Sequence, residues 1–139
     1  MKKSTEELLN ALKNCEEFQR YCQEHREDFL DTSLPRELND LCKKKNIKKS
    51  SVIAQAQINE IYGYQIFAGK RRPAREKLLC LLIAMHADLE EAQTLLKHTG
   101  YAQLYAKDPS DSAVIYGLCK GLSVPEVNEI LYDYGLELL

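Results

Sequence analysis

Residues 50–73 read "SSVIAQAQINEIYGYQIFAGKRRP". Val52, Ile53 and Ala56, then Ile58, then Tyr62, Ile66 and Phe67 recur at the spacing of helices with one apolar stripe. The stripe is interrupted near Gln57 to Asn59, and Asn59 is a favourable N-cap. Two short helices joined by a tight turn are therefore expected. Gly69 can close the second in a left-handed conformation, and Pro73 prevents its continuation. Lysines precede this pattern and "GKRRP" ends it, which raises the question of what so much positive charge serves.

The charge is informative when cut by segment. Residues 1–42 carry six Lys/Arg against ten Asp/Glu, residues 43–77 carry ten against two, and residues 78–139 carry three against nine. A net charge of −2 thus hides a strongly basic centre between acidic flanks. Such a centre is the electrostatic footprint expected for a polyanion. The alternative is a solvated face that pairs with the acidic flanks. Lys43, Lys44 and Lys45 also suit the C-terminal end of a helix dipole.

Outward from the centre, helical periodicity continues and no strand-type alternation competes with it. Ser4 and Glu7 form a capping-box pattern, which predicts a helix from Thr5 to near His25–Asp28 with the stripe Leu8, Leu12, Cys15, Phe18 and Cys22. Ser33 and Pro35 restart the chain, and Leu34, Leu38, Leu41 and Cys42 form the next stripe. The last third contains a repeat: "LLIAMHADLEEAQTLLKHTG" at 81–100 aligns with "YGLCKGLSVPEVNEILYDYG" at 116–135. Asp88 matches Ser123 as N-cap, Glu91 matches Glu126, and Gly100 matches Gly135. Each unit reads as a helical hairpin. The chain is thus expected to be all-α, with an N-terminal helix at 1–30, a central domain at 33–87 and a C-terminal helical extension at 88–139. Its core should join Leu38, Leu41, Val52, Ile53, Ile58, Ile66, Leu78 and Leu82.

Two short helices, a basic loop and further helices are the layout of a helix-turn-helix DNA reader. Residues 47–72, within a broader likeness over about 38–85, resemble the helix-turn-helix of the Xre, Cro and phage-repressor type. Ile47, Val52, Ala56, Ile58, Ile66 and "AGKRRP" carry the resemblance. It implies a recognition helix that starts at Asn59 and ends at Ala68. Glu60, Ile61, Tyr64 and Gln65 would face the bases, with Lys48, Lys49, Lys70, Arg71, Arg72 and Arg75 on the phosphates. Backbone contacts would position such a reader and the helix face would specify sequence. Gln65 could pair with adenine, Glu60 with a cytosine amino group, and Ile61 or Tyr64 with a thymine methyl. Four positions depart from the family pattern. Lys48 stands at a usual Ser/Thr cap, Gln57 at the turn glycine, Gly63 at a large inward residue, and Glu60 near the phosphates.

The expected function is a DNA-binding transcription regulator with double-stranded DNA as partner. The alternative is a protein-interaction module, an antitoxin or adaptor, that keeps the fold and uses Ile61, Tyr62 and Tyr64 as a contact patch. A homodimer is expected on DNA, through the C-terminal hairpin (Ile130, Leu131, Tyr134, Leu136, Leu138, Leu139) or else the N-terminal stripe. No catalytic motif, cofactor loop or metal-ligand spacing is present, so no enzyme, cofactor or metal is expected. His25, His86 and His98 are expected at surfaces or helix ends, and the five cysteines as reduced, mostly buried thiols. The apolar run at 78–85 is far shorter than the ~20 residues of a membrane span. Glu6 and Glu7 interrupt any leader-like core, so the cytoplasm is the expected location.

Overall fold

The computed structural model describes residues 3–28 and 33–139. Among the described residues every regular element is helical. None of these helices is long and apolar enough to cross a membrane. The chain divides into two compact units, Met1–Asp31 and Thr32–Leu139. The break expected between residues 30 and 33 falls outside the described residues.

The first unit holds α1 (Thr5–Asn14), α2 (Phe18–Glu24) and a 3-10 turn at Arg26–Asp28. The single helix expected here is broken. Cys15 takes an extended conformation (ψ 145°), and Asn14 turns its amide onto the Asn10 carbonyl at 2.8 Å, the local side-chain bonding by which Asn competes with helix. Ser4 caps α1, accepting from the Glu7 N–H. Tyr21 and His25 are buried with ring centroids 4.5 Å apart. Asp28 accepts from the Lys3 N–H at 2.8 Å and lies 3.3 Å from His25 Nδ1. His25 stands at a helix end, as expected, as the C-cap of α2, and is buried there. Of the N-terminal stripe, Leu12, Cys15 and Phe18 are exposed.

The second unit contains α3 (Leu34–Lys45), α4 (Lys49–Gln55), α5 (Glu60–Phe67), α6 (Arg75–Ala84), α7 (Leu89–His98), α8 (Pro109–Lys120) and α9 (Val124–Asp133). Four of its turns follow one rule. A left-handed residue (Asn46, Gln57, His86 or Gly121) is followed by an apolar residue and then by the next helix's N-cap. After α3, α6 and α8 the apolar N–H bonds back to a carbonyl five residues earlier: Ile47 to Cys42, Ala87 to Leu82 and Leu122 to Gly117. This is the Schellman closure, which satisfies the last carbonyls of a helix. His86 and Gly121 lie 35 apart, so the repeat read from the sequence extends to its turns. Both of its capping boxes, Asp88 with Glu91 and Ser123 with Glu126, form as expected.

One core spans the second unit. Leu38, Leu41, Val52, Ile53, Ile66, Leu78 and Leu82 are buried as expected, and Ile58 packs on them half-buried. Val127 and Leu131 of α9 enter the same core. Cys42 and Cys80 are buried thiols, while Cys15 and Cys119 are exposed. At the α4–α5 crossing, a Cβ on Gly63 would lie 2.6 Å from Ile53 Cγ2. No gap opens where the helix-turn-helix family would place a large side chain, because Ile53 fills it.

Gly63→Ala should therefore destabilise the protein by about 1–3 kcal/mol through overpacking, despite alanine's better helix propensity. The same change in an Ile53→Ala background should cost markedly less. Urea midpoints of the four chains give the coupling; additive effects would show that the two positions do not meet.

Candidate nucleic-acid interface

The candidate interface is built on the α4–α5 turn. Ala56 ends α4 and Gln57 adopts φ +59°, supplying the left-handed turn for which glycine is the default residue. Asn59 then caps α5, its side chain accepting from the Tyr62 N–H at 3.1 Å. With Gly63, Ile66 and Phe67 inward, α5 turns Glu60, Ile61 and Tyr64 to solvent and leaves Gln65 half-exposed. Ile61 is 70% exposed and Tyr64 41%. Large apolar side chains this open on a helix held from behind are available for contact. The four residues expected on the reading face thus lie on one accessible surface.

The basic residues divide into two groups. Lys48 is exposed at the start of α4, and the ammonium of neighbouring Lys49 sits 5.7 Å from the Phe67 ring centroid. At the other end Gly69 takes φ +81°, and a Cβ there would lie 3.0 Å from Pro35 Cγ, so both space and conformation ask for glycine. The N–H groups of Lys70 and Arg71 fold back onto the Gln65 carbonyl at 2.9 and 3.3 Å, leaving both side chains exposed. Among the described residues, the charged groups of Lys48, Lys70 and Arg71 have no acceptor.

Arg72 and Arg75 are engaged within the chain. Arg72 donates to the Thr99 carbonyl at 2.6 Å and lies 4.3 Å over the Tyr101 ring, a cation–π contact. Tyr101 donates its hydroxyl to the Pro73 carbonyl at 2.6 Å. Arg75 forks onto Asp111 at 2.9 and 3.0 Å and donates to the carbonyls of Ala102 and Gln103. Asp111 also accepts from the Tyr105 N–H. Burial pushes the Asp111 carboxyl up, but the Arg75 fork and the Tyr105 N–H outweigh it and hold it below the usual carboxylate range. These contacts clasp the basic loop after α5 to the segment between α7 and α8. Separations of 27 to 36 residues join their partners, and no local sequence signal marks Thr99, Tyr101 or Asp111 for this role.

The lysine run at the end of α3 divides similarly. Glu91 receives Lys44 Nζ at 2.9 Å and Lys45 Nζ at 2.6 Å. Burial raises its pKa, yet the hydrogen bonds from Lys45, the Asp88 N–H and Lys44 hold it at about 2. Lys43 stays exposed. The pairing of the basic centre with the acidic flank is thus real for Lys44, Lys45 and Arg75, and leaves Lys48, Lys70 and Arg71 without a carboxylate partner among the described residues. Scans against protein-family models, curated proteins and solved structures return no match to this chain.

Two expectations follow from these ion pairs. A depressed carboxylate stabilises fully above its unfolded value and loses that contribution as pH falls through its folded value. Glu91→Gln should therefore flatten the acid limb of stability between the ordinary value of 4.5 and about 2, read from denaturant midpoints against pH. Asp111→Ala strips the Arg75 fork of its acceptor and should cost about 1–3 kcal/mol at neutral pH.

Proposed function

We propose that this protein is a DNA-binding transcription regulator that reads duplex DNA with α5 in a helix-turn-helix. The observation that carries the reading is that cations with no carboxylate partner among the described residues precede α4 and follow α5 in the chain. Lys48 and Lys49 stand at the start of α4, and Lys70 and Arg71 just after α5, with Glu60, Ile61, Tyr64 and Gln65 between them. Phosphate contacts at both ends would fix the register of the helix, and the amide and apolar groups between them would favour adenine and thymine over guanine. Arg72 and Arg75 are assigned to holding the loop, not to phosphate. The cytoplasm, where such DNA is found, is the proposed location. No cofactor is part of the proposal. A single short helix reads few base pairs, so two copies on half-sites about 10 bp apart are proposed, related by a two-fold axis.

One observation favours a second reading. Glu60 at the start of α5 repels phosphate, no arginine lies on the face, and Ile61 is an apolar side chain in water. A protein contact through Ile61, Tyr62 and Tyr64 fits those facts. Salt separates the readings: duplex binding falls steeply with ionic strength and an apolar protein contact does not.

Charge reversal of Lys70 and Arg71 together should weaken binding to all duplexes alike and lower the salt slope by about one unit per lost phosphate contact. Gln65→Ala should change which sequences are selected from random duplex DNA. Unchanged DNA affinity in the double reversal would exclude the proposed function, and one copy per duplex at saturation would exclude the dimer.

A further inference from the structure

A groove of about 420 Å³ runs between α8 and α9, lined by Pro109, Ser112, Ala113, Ile130, Tyr134 and Leu136. Gly117 has no side chain where Val127 approaches it, so the two helices close near their connecting turn. The groove lies toward their other ends. Its wall is tied down: the Leu136 N–H bonds the Leu131 carbonyl at 2.8 Å, and the Leu139 N–H bonds Asn128 Oδ1 at 2.8 Å. Tyr134, which lines the groove, is 78% exposed, and Ile130 and Leu136 are only half-buried. Ile130, Tyr134 and Leu136 are therefore only partly used by the chain's own core.

The charge around the groove points to its occupant. From residue 121 to 139 the chain carries Glu126, Glu129, Asp133 and Glu137 and no Lys or Arg. Asp133 and Glu137 are chain neighbours of the lining residues Tyr134 and Leu136, and Asp133 lies one turn after Ile130 on its side of α9; Lys107, two residues before Pro109, is the nearest cation in the chain on the α8 side. Glu126 is held in its capping box, and among the described residues no cation pairs with Glu129, Asp133 or Glu137. A second copy docked through the same face would set like charges against each other across the two-fold axis. Duplex DNA would be repelled. We propose that this groove docks a basic amphipathic helix of a partner protein, its apolar side chains between α8 and α9 and its Lys or Arg on the acidic border. This is the helix-in-groove mode of recognition. The proposal is independent of DNA reading, which uses α5.

The test titrates the full chain into a fluorescein-labelled amphipathic peptide of about 15 residues built from Leu and Lys, read by anisotropy. Two control peptides keep the pattern, one with Lys replaced by Glu and one with Leu replaced by Ser. The Leu/Lys peptide should bind and both controls should not. Tyr134→Ser, Ser112→Arg and Asp133→Lys alter exposed positions, and each should weaken binding about tenfold with an unchanged melting curve. Equal binding of the Lys/Ser peptide, or no effect of Tyr134→Ser and Ser112→Arg, would reduce the result to charge attraction and overturn the proposal. Self-association seen by light scattering and abolished by Tyr134→Ser would also overturn it, in favour of a second copy.

Discussion

Helix α6 has no polar face: every residue of it from Leu78 to Ala84 is buried. A helix apolar all round must be wrapped, because each side left in water forfeits about 25 cal/mol per Å² of apolar surface. One side is covered by α4, and α8 and α9 pack on it as well. This is why the C-terminal hairpins belong to the same unit as the helices before them. It also fixes the segment that enters α6. Arg75 is its first residue, and its fork onto Asp111 connects the start of the central helix to the start of α8. The loop between α5 and α6 is thereby held at both ends, by Gly69 against Pro35 and by Arg72 and Arg75 against residues 99–111.

That frame determines which charges remain for a partner. A basic segment can serve either a polyanion or its own fold, and the two uses are separable only residue by residue. Lys44, Lys45, Arg72 and Arg75 serve the fold, through Glu91, Tyr101 and Asp111. Lys48, Lys70 and Arg71 do not, and they lie in the sequence just outside the two short helices. The proposed reader is thus a smaller electrostatic site than the net charge of residues 43–77 suggests. Charges offset by a fixed partner contribute little to steering a ligand, whereas unpaired ones retain their field.

Much of the helical layout was legible because it is local. Asn59, Asp88 and Ser123 announce their helices through capping, and Gly69, Gly100 and Gly135 announce the ends through positive φ. The outward set Glu60, Ile61, Tyr64 and Gln65 came from the resemblance, and the burial of Gly63, Ile66 and Phe67 on the other side of α5 agrees with it. Gln57, His86 and Asn46 were harder, because a left-handed residue other than glycine has only a weak signature. The break at Cys15 was missed since the apolar spacing runs through it. Nothing local could reveal the Arg72 and Arg75 clasp: arginines after a reading helix look alike whether they face phosphate or a carbonyl 27 residues away. Gly63 read as a missing side chain, and only packing shows that Ile53 occupies its place.

We propose that the open face of α5, with Lys48 before α4 and Lys70 and Arg71 after α5, meets duplex DNA. Amide chemical-shift mapping of the full chain during titration with a mixed-sequence duplex at low salt tests it most directly. Shifts are expected at the start of α4, along α5 and through residues 69–72, with α8 and α9 unmoved and the shifts reversed by added salt. No shifts in those segments, or shifts confined to α8 and α9, would contradict it.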